Sequence, residues 1–460
     1  MSEANTELDQ YGGWTGIKGE KTGFFHLEKI DGRDWFVTPK GNVFFPVALS
    51  HLLSGESDVA CENVYGGDRE AWVRGSLANA RSMGFNCALG SATSPERNLN
   101  EFVDIAEAEA VFREGSFPFT VGVILLKHPW EFVEGETLPD VFDSEFAQLI
   151  ESRAEAACKP VADDPLVMGY YYGFGAFNWS AHWVNHHLSL MPGSPGRDAI
   201  VDLLAQRYDD DAEAFNRVYG TSLNQIAELK QAEVLVYDEA FERRNYPGIS
   251  AKLNPQELED FEAILSHMCV TLYKIGHTAI RRWDTNHLIL GSFIKEWALT
   301  GESWKAAAPY IDMIAPQHIN REISINELAD VAGLPIVVSD DYFGFHYPDK
   351  DRGHAAVSSH DARGEIYQAN LMRHCKDPQV LGVTYCACMY DQGGDTLAKN
   401  NQNGLYDIEG NPRENLIQSV TETNEAVYTY ASQPGSPEEL QDLRNILFNT
   451  WDKYKRGDWP

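Results

Sequence analysis

Short apolar runs, each preceded by an amphipathic stretch, recur from residue 44 to residue 385. A run without polar alternation reads as a strand buried on both faces, and strands alternating with helices read as a parallel sheet. The clearest run is Pro335-Ile-Val-Val-Ser-Asp-Asp-Tyr-Phe-Gly-Phe345, where β-branched residues give way at once to two carboxylates, two aromatics and a glycine. Its acidic residues therefore lie where a strand leaves the core.

The same alternation places helices at 68–82, 98–113 and 144–157, leading into strands at 84–90, 119–126 and 166–172. It resumes with a helix at 256–283 before 287–292, then strands at 311–316, 336–345 and 380–385 behind shorter helices. Counted from Phe44, eight strands with helical connections predict an α/β fold of the (β/α)8 TIM-barrel type. The turn Pro39-Lys-Gly-Asn42 predicts a β-hairpin within residues 1–43, ahead of a barrel over 44–430. Residues 180–260, broken at Pro192-Gly-Ser-Pro-Gly196, read as a helical insertion after strand 4, and 431–460 as a helical tail.

Composition narrows the function. The 460 residues are 43% hydrophobic and 12% aromatic, enough for a sizeable core. A formal net charge of -32 argues against nucleic acid as a partner, because phosphate is repelled over most of the surface. Seven scattered cysteines contain no Cys-x-x-Cys pair, so they read as reduced, mostly buried thiols. No run reaches membrane-spanning length and no secretory leader is apparent, so the expected location is cytoplasmic. No glycine-rich dinucleotide turn follows the first strand, and no cofactor is expected.

On a barrel, residues just past each strand converge on one mouth. They include His51, Asn86, Tyr172, Asn178, Trp179, Trp297, Gln317, His318, Asp341, Tyr342 and Gln392. Aromatics mixed with amides, carboxylates and histidine suit a sugar: ring faces stack on CH groups and polar groups meet hydroxyls. His182 and His186 have a zinc-compatible i,i+4 spacing, but no Glu follows His182, so they read as a polar face of the insertion. Of Asp340 and Asp341, adjacent in a strand, only one should face the mouth; the other should cap a helix or pair with an arginine.

Several of these segments resemble glycoside hydrolase family 50, the exo-acting β-agarases of marine bacteria. Gly84-Phe-Asn-Cys-Ala-Leu-Gly90 resembles the family's Gly-Phe-Asn-Thr-x-Gly strand, and Asp164-Pro-Leu-Val-Met-Gly-Tyr170 the approach to its acid/base strand. Val338-Ser-Asp-Asp-Tyr-Phe-Gly344 resembles its Ile-Ser-Glu-Phe-His-Phe-Gly nucleophile strand. Asp391-Gln392 and Asn403-Gly-Leu-Tyr-Asp407 resemble its last strand and the loop beyond. The resemblance runs in order over roughly residues 25–430.

There are two departures. The family's strand 4 ends in Asp-Asn-Glu, whose Glu is the general acid/base, whereas this chain has Gly173-Phe-Gly175. The nucleophile position falls on Asp340, one methylene shorter than Glu. The resemblance thus implies a glycosidase on red-algal galactan oligosaccharides with an altered carboxylate mechanism, inversion being one option. Asp340 is the expected catalytic carboxylate, and Glu296 or Asp391 the replacement proton donor. The missing strand-4 Glu equally fits a non-catalytic carbohydrate-binding barrel, and His318 with nearby tyrosines fits a lyase. The expected partner is an oligosaccharide, with no membrane or nucleic acid; self-association is left open.

Overall fold

The structure, a computed structural model, describes residues 7–53, 58–90, 105–126, 137–173, 180–231, 237, 253–295, 301–317, 325–341, 343–346, 356–391 and 402–455. It is a mixed α/β fold whose sheets are mostly parallel. An antiparallel sheet comes first, in the order β1-β4-β3-β2, with β1 Trp14–Lys18, β2 His26–Ile30, β3 Arg33–Val37 and β4 Asn42–Phe44. The turn at Pro39–Asn42 joins β3 to β4, with Phe36 opposite Phe44. A second hairpin joins β2 to β3 through Asp31-Gly32, both at positive φ (52° and 83°), the geometry a two-residue turn between right-twisted strands requires. The expected single hairpin is therefore part of a four-stranded sheet. Asp-Gly carried that signal.

The parallel strands fall into two groups. One is ordered β5-β14-β11-β10-β9, comprising Val47–His51, Val380–Cys388, Ile336–Asp341, Ala315–Gln317 and Phe293–Lys295. The other is β6-β7-β8, comprising Phe119–Gly122, Val167–Tyr171 and Leu288–Gly291. A short parallel pair, β12 Phe345–His346 and β13 Ala356–Val357, stands apart. Strands β8 and β9 are one stretch of chain bent at Gly291 (φ 78°), so a single segment serves both groups. On the other side, the Asn86 N–H donates to Val47 O at 3.1 Å, and Ala88 bridges Phe119 in parallel.

Side-chain alternation sorts residues to two layers. Ala48, Leu89, Ile124, Met168, Leu290, Met313, Val337 and Leu381, one from each of eight segments, share one buried cluster. Phe25, Phe36 and Phe44 of the antiparallel sheet and its turn belong to the same cluster. Residues of opposite phase, such as Val47, Val167, Ile336, Val338 and Val383, pack in a second, larger cluster with the helices. The helix Pro255–Trp283 begins at Asn254, which accepts from the Glu257 N–H while Glu257 accepts from the Asn254 N–H. Its Phe261, Ile264, Leu265, Met268 and Leu272 repeat at three and four residues and are buried. Residues 180–231 form helices Ser180–Ser189, Pro195–Arg207 and Ala212–Tyr219 and a 3-10 turn, Ile226–Lys230.

Candidate active site

The β11 strand is buried throughout, as its β-branched sequence requires. Val337 faces the inner cluster, and Ile336 and Val338 the outer one. Strict alternation would send Asp340 outward and Asp341 inward. Instead Asp340 has φ 48°, and the register with β14 shifts between Val338 and Asp341. This bulge reverses the phase at the strand end. The left-handed conformation costs roughly 1–2 kcal/mol for an L-residue, and Asp is among the types that tolerate it.

The two carboxylates therefore part. Asp341 is buried and accepts from Asn370 Nδ2 at 2.9 Å and His374 Nε2 at 3.0 Å, both on the helix His360–Lys376. Burial holds His374 below the ordinary imidazole pKa despite the nearby Asp341 carboxylate, which pulls the other way. Asp341 thus anchors a helix, through His and Asn rather than the expected arginine. Asp340 stands with residues from other strand ends. His51 Nε2, closing β5, is 3.4 Å from Asp340 Oδ1, and Gln317 Nε2, closing β10, is 3.4 Å from Oδ2. Cys386 Sγ on β14 lies 3.6 Å from His51 Nε2. Below them, Ser50 and Thr384 share a 2.7 Å hydroxyl hydrogen bond that fixes β5 against β14.

Other predicted site residues lie elsewhere. Asn86 accepts from the Val47 N–H at 2.8 Å and donates to Phe45 O at 2.9 Å. It clamps the start of β5, the end opposite His51, and is not at the mouth. Tyr172 is fully buried against Tyr273, with ring centroids 5.6 Å apart, and approaches Gly276 of the helix Pro255–Trp283. It belongs behind the sheet; its neighbour Tyr171 is the inward one, stacked on Phe293. Asp391 is buried, with Oδ1 accepting from the Gly404 N–H at 3.0 Å and Oδ2 bonded to the Arg413 guanidinium. Burial raises its pKa above the usual carboxylate value, Arg413 opposing. Both oxygens hold the loop after β14, which makes Asp391 a fastening and not a free proton donor. Glu296, Asn178, Trp179, Trp297, His318, Tyr342 and Gln392 lie outside the described residues.

Of the seven cysteines, six are buried as expected, and Cys386 is only partly buried. Its signal lay in β14, where Val383, Tyr385 and Ala387 pack outward and the intervening Thr384 and Cys386 take the opposite face. At the end of β7, Gly173 has φ 83°, and a Cβ there would meet Ile124 at 2.9 Å. A side chain there would be strained and would press on the tip of Ile124.

No protein-family model matches the chain. Beta-agarase B from Vibrio sp. (strain JT0107) is 22% identical, the match covering 91% of this chain and 50% of that protein, so the chain spans about half the length of this curated relative. The crystal structure of an agarase superposes with a TM-score of 0.70 at 17% identity, covering 92% of this chain and 68% of that one. An exo-β-agarase structure gives 0.71 at 18% identity, covering 93% and 68%. The fold of this chain is that of the family 50 agarases.

Proposed function

We propose that this chain is a glycoside hydrolase acting on agar-type galactan oligosaccharides, with Asp340 as its central carboxylate. The observation that carries the reading is the conformation of Asp340: left-handed, at a bulge closing a parallel strand, beside side chains from two other strand ends. Strained residues concentrate where chemistry is done. A fold shared with agarases, and the relative named above, supply the substrate class. We read the two strand groups as one closed (β/α)8 barrel. The bend at Gly291, the Asn86–Val47 bond and the eight-membered inner cluster support closure.

Asp340 accepts a proton from the attacking water, or faces the positive charge that develops at the anomeric carbon. Gln317 donates to one of the Asp340 oxygens, and His51 stands 3.4 Å from the other. We assign the proton donor to Glu296, the residue immediately after β9. In the sheet, β9 is two strands from β11, a separation of roughly 9–10 Å at about 4.8 Å per strand. Carboxylates about 6.5–9.5 Å apart leave room for a water and give inversion, whereas retention needs about 5–5.5 Å. The test is turnover of agar oligosaccharides, with product mass and the anomer of the nascent end read by NMR. Asp340→Asn should reduce turnover by roughly 10²–10⁴-fold, the usual worth of a positioned acid or base. Unchanged turnover removes Asp340 from the mechanism.

One observation favours a second reading. Gly173, left-handed and closely covered by Ile124, stands where the family's acid/base motif begins. A barrel that binds the same oligosaccharides without cleaving them would show ligand-induced thermal stabilisation and no product.

A further inference from the structure

We propose that His51, Asp340 and Cys386 form a binding site for a zinc-class divalent cation at the mouth of the candidate active site. His51 Nε2, a carboxylate oxygen of Asp340 and Cys386 Sγ all lie within 4.8 Å of one another. His51 Nε2 is 3.4 Å from Asp340 Oδ1 and 3.6 Å from Cys386 Sγ. For an imidazole–carboxylate pair, 3.4 Å is long, since charge-assisted N–H···O bonds run at about 2.7–2.9 Å. It is the spacing of two ligands around a shared ion. Zinc bonds of about 2.0–2.1 Å to nitrogen, 2.0–2.2 Å to oxygen and 2.3 Å to sulfur, at the tetrahedral angle, put nitrogen about 3.4 Å from oxygen and about 3.6 Å from sulfur. In the same geometry the third pair, Asp340 with Cys386, stands at about 3.6 Å.

The framework is already in place. The three ligands stand on β5, β14 and β11, neighbours in one sheet, so the backbone needs no rearrangement. Gln317 holds the other oxygen of Asp340, as an outer partner that orients a metal-binding carboxylate does. Thiolate and imidazole donors select zinc, cobalt, nickel or copper over calcium and magnesium, which take oxygen ligands. The formal charge of -32 raises the local concentration of any cation. On binding, Cys386 gives its thiol proton to solvent as the metal–sulfur bond forms, and three protein ligands leave one tetrahedral position for water.

The consequence for activity rests on the hydrolase reading: a carboxylate committed to a metal no longer accepts a proton, so zinc silences turnover. Binding does not rest on it. The full chain, stripped with a chelator, is titrated with cobalt(II) and followed by thiolate-to-metal charge-transfer absorption, then by zinc displacement and calorimetry. One cobalt per chain with thiolate absorption is expected, bleached by zinc. Cys386→Ser should abolish that absorption, and His51→Ala should weaken zinc by more than the roughly 10–100-fold lost with an outer-shell partner. Thermal melts establish that both variants are folded. Absence of thiolate absorption in the parent chain, its survival in Cys386→Ser, or unchanged zinc affinity in His51→Ala overturns the site. Zinc binding by a chain that shows no hydrolysis even when stripped of metal overturns the hydrolase reading and leaves the metal site standing. If hydrolysis occurs, one equivalent of zinc should suppress it in the parent chain and not in Cys386→Ser.

Discussion

Asn86 and Asp341 look alike in the sequence, polar residues at strand ends, and both turn out to hold backbone or helix in place. Replacing Asn86 with Ala leaves the Val47 N–H and Phe45 carbonyl without their side-chain partner. The expected cost is about 1–3 kcal/mol for each group left unsatisfied, read from urea unfolding, with KM for an oligosaccharide unchanged. Asp341→Ala strands His374 and Asn370 in the interior and should destabilise by about 3 kcal/mol, with a loss of helicity. The Asp-Asp pair was legible as a strand terminus rich in carboxylate. Which of the two turned toward the mouth was not, because a positive φ at Asp340 is permitted by the residue type without being encoded by it. Tyr172 misled for the opposite reason. Strict period-two reading of Tyr170-Tyr171-Tyr172 puts Tyr171 alone on the inner face, and that is where it lies.

Elements were read more easily than their ties. The helix Pro255–Trp283 carries its start in the sequence, with an Asn-Pro-x-Glu capping box and an apolar stripe. Nothing in the pattern marks Asp260, which is fully buried within that stripe. It accepts from Arg207 Nε at 2.7 Å, Tyr208 OH at 2.6 Å and Tyr219 OH at 2.8 Å, so one carboxylate binds the helices Pro195–Arg207 and Ala212–Tyr219 to the long helix. Burial, first of all, and then neighbours that include Tyr237 and this carboxylate push the Tyr219 phenol well above its ordinary pKa. Asp260→Ala leaves Arg207 and two phenols without their acceptor and should cost about 3–5 kcal/mol. Hydrogen exchange should localise the loss of protection to residues 195–219, while strands β5, β11 and β14 keep theirs. A uniform loss over the whole chain would mean that residues 195–219 are not a separable unit.

Across the whole molecule, the alternation of strand and helix was legible because each apolar run is continuous and each helix periodic. The meeting of β8 and β9 in one bent strand was not, since it depends on a single glycine conformation. Stability against acid also follows from the assembled molecule. His187 is buried beside Trp183, Phe142 and His186, donating from Nδ1 to Trp183 O at 3.0 Å and accepting at Nε2 from the Val141 N–H at 3.3 Å. Asp140 is 4.0 Å away. Burial pushes the His187 pKa down to about 3, with the hydrogen bond to Trp183 O opposing and His186 adding a smaller push downward. Between about 3 and the ordinary value of 6.5 the unfolded chain therefore binds the extra proton, and the folded one does not. Stability is full above that window and should fall by up to about 1.4 kcal/mol per pH unit on acidification through it. His187→Gln, compared with the parent by melts at pH 7 and pH 5, should flatten this slope. The Arg33 guanidinium has consequences of another kind. It leaves the antiparallel sheet to donate to Cys375 O and, at 2.8 Å, to Val380 O, 347 positions later in the chain. On the ribosome, strands β1 to β4 are made long before these acceptors and meet them only once residue 380 has emerged. Until then their phenylalanines have no inner cluster to enter, and a nascent chain stalled before residue 380 should depend on chaperones to stay out of aggregates.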